Sequence, residues 1–376
     1  MAEVKRESEV GPAKGEPFRV MIVADPGFVG DKIHAIIESD PRFQLVAQVA
    51  DGVSAVSALR RQAVDGVVLD IGQPESQVKV TLTRMFRVDP ELKVLMVGSL
   101  SFANVKTSMM GLMEGAAEFV ATPSAHAAMS EADFTAGVTD VLVAFGRSDR
   151  VIEGRRLPVR QGAPAPRPAP APAVPVTLRP ASKLAPEILA FGSSTGGPQA
   201  LFNVLALLPA DLALPVVITQ HMPATFTALL AGHITKHSAL ACTEGRDGEP
   251  LRPGHIYLAP GDHHMRVVKG AGGPEIQLDQ NPPVNFCRPA VDPLFESLAQ
   301  VYGGRVLAAI LTGMGNDGRE GGRAIAEAGG TVIAQDEASS VVWGMPGAAA
   351  KAGICAAVLA LDEIAPFIAK TLKRGW

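Results

Sequence analysis

The stretch EILAFGSSTGGPQALFNVLALL, residues 187–208, gives the clearest fold signal in the chain. It begins with an apolar run typical of a buried strand and ends with the apolar spacing expected of a helix. A strand, a tight glycine-rich turn and a helix in succession form the repeating unit of parallel α/β sheets. Residues 192–196 also fit the pattern G-x-S-x-G, which exposes its central serine at the carboxyl end of the strand. Ser194 is therefore a candidate nucleophile.

Two more predicted strands end next to residues that can assist a serine. PVVIT, residues 215–219, is followed closely by His221, and RVLAAIL, residues 305–311, leads into a glycine-rich segment that contains Asp317. The carboxyl ends of parallel strands meet at one edge of a sheet, and a catalytic triad is defined by geometry, not by chain order. On the residues alone two alternatives stay open: Asp317 caps the helix that follows it, or the glycine-rich turn binds phosphate.

The first part of the chain shows the same alternation. Apolar runs that predict strands occur at residues 18–23, 43–50, 66–71, 93–97 and 117–120, with helical patterns between them. This order predicts a second doubly wound parallel sheet. Asp25 follows the first of these strands and Asp70 lies at the end of the third, where carboxylates are suitable ligands for a hard cation.

Composition divides the chain. Residues 161–180 contain seven prolines and five alanines, which favour an extended polyproline segment over a packed one. A chain of 376 residues is long enough for two domains. We therefore predict a disordered tail at 1–17, a first α/β domain at 18–147, a linker at 148–186 and a second α/β domain at 187–376.

Several classes of protein are excluded by simple counts. A net charge of −4 argues against nucleic-acid binding, and three widely spaced cysteines give neither a disulfide framework nor a metal-binding pair. His263 and His264 are adjacent, which is not the spacing of a helical ligand pair. The longest apolar stretch, residues 204–218, is interrupted by proline and aspartate, and residues 1–17 lack the apolar core of a signal peptide. We expect a cytoplasmic protein that does not insert into membranes.

The second half resembles the catalytic domain of chemotaxis-type protein-glutamate methylesterases. The resemblance is carried by FGSSTGGPQAL, TQHMPATFT, RPGHIYLAPGDHHM, PPVNFCRPAVDPLF, ILTGMGNDG and AQDEASSVVWGMPGAA. It implies Ser194 as nucleophile, His221 as general base and then acid, and Asp317 as the carboxylate that orients His221. It also implies that the backbone at Thr195 and Met314 supports the oxyanion. The implied substrates are methylated glutamates, and specific glutamines, on the cytoplasmic domains of chemoreceptors, with no cofactor needed for hydrolysis.

The first half resembles the receiver domain of two-component response regulators, through VVLDIGQP and AEFVATP. The resemblance implies that Asp70 accepts a phosphoryl group from a chemotaxis histidine kinase and that Asp25 and Asp70 bind Mg²⁺. Three positions depart from the pattern. Ala24 replaces a second acidic residue, Gly98 replaces a small hydroxyl residue, and Thr122 replaces a lysine. These departures predict weaker Mg²⁺ binding and a weaker phosphorylation switch.

Two other functions are compatible with parts of this pattern. A receiver-like domain joined to a glycine loop that binds phosphate or nucleotide would show no chemistry at Ser194. A small-molecule esterase would use the same triad, but the receiver-like half and the tether favour a large, specific substrate.

Overall fold

The computed structural model describes residues 17–123, 129–151 and 176–373, which form two α/β domains. The first domain has a five-stranded parallel sheet in the order β2-β1-β3-β4-β5, with helices on both faces. Its elements are β1 (Phe18–Val23), α1 (Phe28–Ser39), β2 (Phe43–Val49), α2 (Gly52–Arg61), β3 (Gly66–Asp70), α3 (Glu75–Val88), β4 (Lys93–Gly98), α4 (Phe102–Met113), β5 (Glu118–Ala121) and α5 (Glu131–Val151).

The second domain has a seven-stranded parallel sheet in the order β14-β13-β12-β6-β7-β9-β8, and a separate antiparallel hairpin of β10 and β11. Its elements are β6 (Ile188–Ser193), α6 (Gly197–Leu205), β7 (Val216–Gln220), α7 (Ala224–His237), β8 (Ala241–Glu244), β9 (His255–Leu258), β10 (His264–Gly270), β11 (Gly273–Asp279), α8 (Val291–Tyr302), β12 (Val306–Ile310), α9 (Arg319–Glu327), β13 (Thr331–Gln335), α10 (Met345–Lys351), β14 (Ala357–Leu359) and α11 (Leu361–Lys373). The predicted fold class, two doubly wound parallel sheets, is confirmed.

The three central strands of this sheet hold the candidate site. β6 lies between β7 and β12, and all three are buried along their whole length. Strands covered by helices on both faces require continuous apolar runs, which is the pattern these segments have in the sequence. Since the strands are parallel and adjacent, the residues that follow them meet at one edge.

The predicted tail and linker lie largely outside the described residues. The described residues after 175 contact the second domain: the N–H of Arg179 donates to the carbonyl of Cys355 at 3.0 Å, and the N–H of Ser182 donates to Thr331 Oγ1 at 2.9 Å. At the start of the predicted linker, helix α5 of the first domain continues to Val151. None of the helices in the described ranges is both long and apolar enough to cross a bilayer.

The two domains are in contact through α4 and β5 of the first. Val105 and Met109 of α4 share one apolar cluster with helix α6 of the second domain. The rings of Phe119 and Phe226 lie 5.5 Å apart between centroids. The N–H of Gly196 donates to the carbonyl of Ala117 at 2.9 Å. The first domain therefore contacts the turn that carries Ser194.

Candidate active site

The turn between β6 and α6 positions the candidate nucleophile. Gly196 has a φ of 76°, a left-handed conformation that side chains other than glycine disfavour. A Cβ atom on Gly197 would clash with Gln220 Oε1 and lie 2.9 Å from Ser193 Cβ. The carboxamide of Gln220 in turn accepts from Ser193 Oγ at 2.6 Å and donates to the Ser194 carbonyl at 3.0 Å. Both glycines are thus required for the close packing that fixes the serine at the strand end.

His221 and Asp317 are in direct contact at the same edge. Ser193 and Gln220 are paired in the sheet, so the next residues, Ser194 and His221, leave neighbouring strand ends together. His221 Nε2 lies 2.7 Å from Asp317 Oδ2, and Asp317 is 1% exposed. The pairing of imidazole and carboxylate predicted from the sequence is present.

Asp317 is held by the start of helix α8, not by the helix that follows it. Its carboxylate accepts the N–H groups of Val291 at 2.6 Å and Asp292 at 3.1 Å, the first residues of α8. Helix α9, which begins after Gly318, has no side-chain cap. A helix N-terminus favours negative charge, so α8 stabilises the ionised carboxylate. The alternative of Asp317 as the N-cap of its own helix is wrong.

The pKa values of the pair favour an ion pair. Burial acts to raise the pKa of Asp317, but the hydrogen bond to His221 and the N–H groups of α8 outweigh it and lower that pKa. Burial acts to lower the pKa of His221, but hydrogen bonds with Asp317 and Cys287 raise it to about 10. The raised pKa favours the imidazolium form of His221, which must lose its proton before it can act as a base.

Ser194 is near this pair but not yet bonded to it. Within the described ranges, Ser194 Oγ makes no hydrogen bond, and the second ring nitrogen, His221 Nδ1, faces Cys287 Sγ at 3.3 Å. Catalytic hydrogen bonds are often unformed without substrate. The structure thus brings two predicted triad members into contact and sets the third on the adjacent strand end. A Ser194–His221 bond requires His221 Nδ1 to leave Cys287.

Two backbone N–H groups beside Ser194 are available to an oxyanion. A Cβ on Gly313 would lie 2.8 Å from Ser194 Cβ, so the chain entering Met314 runs directly against the serine. In the part of the chain that the structure describes, the N–H groups of Thr195 and Met314 donate no hydrogen bond. Free N–H donors beside a nucleophile are the requirement of an oxyanion hole. This arrangement fits the two supporting residues implied by the sequence.

The segment between β11 and α8 supplies site residues that the sequence did not single out. Asn285 Nδ2 donates to Asp292 Oδ2 and to Asp317 Oδ1, each at 2.9 Å. Burial, with the negative charge of Asp317, raises the pKa of Asp292 to about 6. These residues and Cys287 lie within PPVNFCRPAVDPLF, a recognisable motif without a strand end to mark any one of its members.

The first domain places a carboxylate against the nucleophile turn. Burial raises the pKa of Glu118, while a hydrogen bond with the Thr195 side chain and the N–H of Phe119 act to lower it. Thr195 itself is buried. Glu118 lies in β5, between Ala117, which is bonded to Gly196, and Phe119, so the backbone holds it at this position.

The predicted phosphoryl-acceptor edge of the first domain has two carboxylates. Burial raises the pKa of Asp70, and the negative charge of nearby Asp25 raises it further. The N–H of Gly72 donates to Asp70 Oδ1 at 2.9 Å and acts to lower that pKa. Two carboxylates fit two oxygen ligands of Mg²⁺. Across the described ranges no cluster of three or more His, Cys, Asp or Glu side chains is suited to a metal.

The structure explains one departure from the receiver pattern. A Cβ on Gly98 would lie 2.7 Å from Ile71 Cγ1, so Ile71 fills the space that a hydroxyl side chain would occupy. Thr122, at the position of the expected lysine, is 6% exposed and carries no charge. Gly98 therefore supplies no hydroxyl, and Thr122 no positive charge, to a phosphoryl group on Asp70.

Comparisons with known proteins give the family of this chain. Residues 189–368 match the family model described as CheB methylesterase. A "Protein-glutamate methylesterase/protein-glutamine glutaminase" of Azospirillum brasilense is 46% identical, covering 97% of this chain and 95% of its own. One of Rhodospirillum rubrum is also 46% identical, over 96% of each chain. The crystal structure of the Thermotoga maritima CheB methylesterase catalytic domain is 38% identical, with a TM-score of 0.48 over 50% of this chain and 99% of that one. The chain belongs to the CheB methylesterase family.

Proposed function

We propose that this protein hydrolyses glutamate methyl esters, and deamidates specific glutamines, on the cytoplasmic domains of chemoreceptors. The observation that carries the proposal is the 2.7 Å contact between His221 and Asp317 at the strand end beside Ser194. The free N–H groups of Thr195 and Met314 support it. The full-length relatives carry both activities in their names. They give no support to a loop that binds phosphate or nucleotide without catalysis.

The reaction follows from the roles of these groups. His221 accepts the proton of Ser194, whose Oγ attacks the ester carbonyl, while the negative charge of Asp317 stabilises the imidazolium. The N–H groups of Thr195 and Met314 stabilise the oxyanion, and one such donor is typically worth about 3–4 kcal/mol. His221 then protonates the departing methoxide, so that methanol leaves. Water hydrolyses the acyl-serine by the same sequence and leaves a glutamate carboxylate. A glutamine side chain loses ammonia in place of methanol.

The chain offers a matched pair of serines to test the assignment. We expect Ser194→Ala to lower methanol release from a methylated chemoreceptor fragment by at least about 10³-fold, because the nucleophile is lost. Ser193→Ala removes a buried hydroxyl that only bonds Gln220, and we expect less than about a tenfold loss. Methanol release counted from labelled methyl groups measures both. Full activity in Ser194→Ala would overturn the triad.

We propose further that the first domain restrains the second by its contact at the nucleophile turn, and that the protein works in the cytoplasm. The bond between Gly196 and Ala117 and the position of Glu118 support the restraint. A chemotaxis histidine kinase is the proposed phosphoryl donor, with Asp25 and Asp70 as carboxylate ligands of Mg²⁺, which would neutralise charge on the phosphoryl oxygens. Because Gly98 has no hydroxyl and Thr122 has no positive charge to offer a phosphoryl group, we expect the response to be weak.

A further inference from the structure

A two-residue hairpin lies beside the triad and has an unusual composition. Val284 and Cys287 exchange both of their backbone hydrogen bonds, at 3.1 and 2.9 Å. The central residues Asn285 and Phe286 both have positive φ, 50° and 64°. This turn normally carries asparagine or aspartate followed by glycine. Asn285 suits its position, but Phe286 stands where glycine is favoured.

A phenylalanine at position 286 does not stabilise the fold by burial. The Phe286 side chain is fully exposed, more so than any other large apolar side chain in the described ranges. A bulky residue in the left-handed region is disfavoured, and an exposed ring loses its hydrophobic benefit. Neither local conformation nor packing therefore explains this residue, and unfavourable backbone conformations of this kind concentrate at functional sites.

The turn is fixed by contacts to the triad on both sides of Phe286. Asn285 bonds to Asp317 at 2.9 Å, and Cys287 lies 3.3 Å from His221. The ring therefore projects from the rim of the active site within one residue of both contacts. The first domain, which contacts the nucleophile turn at Gly196, leaves Phe286 exposed.

We propose that Phe286 is a docking residue for the protein substrate, and this rests on the proposed function. The ring packs against an apolar side chain of the substrate close to the modified glutamate, because Phe286 lies one residue from each of the two contacts to the triad. The scissile methyl ester is small, so recognition depends on the surrounding substrate surface. Aromatic anchors next to the reacting group are frequent hot spots of such contacts. The continuity of the turn with the triad argues for the substrate segment itself as the occupant.

The test measures binding and chemistry separately in the full-length protein. In a Ser194→Ala background, the dissociation constant for a purified, methylated chemoreceptor cytoplasmic fragment is compared with and without Phe286→Gly. Glycine keeps the turn, so we expect binding to weaken at least tenfold, and Phe286→Leu to restore most of it. Leu207→Ala, at a 60% exposed apolar residue of the same domain, is the control and is expected to bind normally. With Ser194 present, labelling of the serine by phenylmethanesulfonyl fluoride is expected to be unchanged in Phe286→Gly.

Each result either supports or overturns the docking role of Phe286. Unchanged affinity in Phe286→Gly overturns the docking role. Slower serine labelling in that variant also overturns it, because Phe286 would then act through the geometry of the triad. The proposed function is judged independently by methanol release from the wild-type protein. If wild type releases no methanol but binding still depends on Phe286, docking stands and the proposed esterase activity falls.

Discussion

The contact of Cys287 with His221 adds to the effect of Asp317 on the catalytic imidazole. The thiol lies 3.3 Å from Nδ1, the nitrogen left free by Asp317, and it contributes to a His221 pKa of about 10. A protonated imidazole cannot take a proton from Ser194. The arrangement is therefore a resting one, in which both ring nitrogens are occupied. Activity requires the loss of one proton and of the Cys287 contact.

Removing this thiol shifts the pH dependence of the reaction. In Cys287→Ala we expect the His221 pKa to fall, because one of the hydrogen bonds that raise it is gone. The rising limb of methanol release against pH then moves to lower pH. The stability of the fold also depends on the pKa of His221. Because this pKa is raised above the unfolded value of about 6.5, protonated His221 stabilises the fold fully below pH 6.5. That stabilisation is lost as pH rises toward 10. Cys287→Ala therefore has a smaller decrease in unfolding free energy between pH 7 and pH 10.

Imidazole NMR titration and the pH–rate profile measure this shift. Cys355→Ala is the matched control, because its thiol is buried in the core of the same domain. An unchanged profile in Cys287→Ala contradicts the assignment, as would an equal shift in the control.

The three triad candidates were predictable because each follows an apolar strand, and parallel strands align their ends. Asn285 and Cys287, in the loop before α8, and Asp292, in its first turn, were not, because no strand end marks any of these positions. Only the folded chain shows that this loop meets Asp317 and His221. The contact of Glu118 with the nucleophile turn could not be predicted either, since its partner Thr195 belongs to the other domain.

The turn from β6 to α6 is the element on which the site depends most. Gln220 holds the carbonyls of Ser194 and His221 at 3.0 and 3.2 Å, and so links two strand ends. Gly197 leaves the space for the Gln220 carboxamide. Any side chain at this position must displace Gln220.

Gly197→Ala is therefore expected to damage both activity and stability. Overpacking of this kind costs about 1–3 kcal/mol of unfolding free energy. Displacement of Gln220 should also lower kcat by about 10- to 100-fold, because small misplacements of reacting groups are costly. Gly232→Ala is the control: it lies in helix α7 with no atom near the added Cβ, and is expected to stabilise by up to about 1 kcal/mol. Urea unfolding and methanol release measure both variants, and a fully active Gly197→Ala would contradict the role given to Gln220.

The helices and strands with the clearest local sequence pattern were predicted most accurately. Strand β1 has the predicted bounds, Phe18–Val23, because five of its six residues are apolar. Helix α4, one of the helices predicted between the strands, begins at Phe102, and no apolar pattern marks that start. The missed signal is Ser101, whose Oγ accepts the N–H of Asn104 at 3.2 Å and caps the helix. The β10–β11 hairpin was not predicted, because it lies outside the parallel sheet.

The contact between the two domains lies at the turn that carries Ser194. The contact combines the Phe119–Phe226 ring pair, the Gly196–Ala117 hydrogen bond and the apolar packing of α4 on α6. A substrate protein that reaches Ser194 must approach the same turn. Weakening the contact should therefore increase methanol release. We expect a larger increase from removal of the Phe119 ring than from a phosphoryl donor that acts on the first domain.

Phe119→Ala weakens the contact directly, and an aromatic pair contributes about 0.5–1.5 kcal/mol beyond its buried area. We expect methanol release from the methylated chemoreceptor fragment to rise about two- to tenfold. Phe28→Ala, at an exposed ring of α1 in the same domain, is expected to leave the rate unchanged. Asp70 is the proposed acceptor for acetyl phosphate with Mg²⁺, and we expect this treatment to change the wild-type rate less than about twofold. Ile71 fills the space beside Gly98, and Thr122 offers no cation to hold the phosphoryl group. A large stimulation that disappears in Asp70→Ala would show instead that this edge switches without those groups. An unchanged rate in Phe119→Ala would show that the ring contact does not restrain the enzyme.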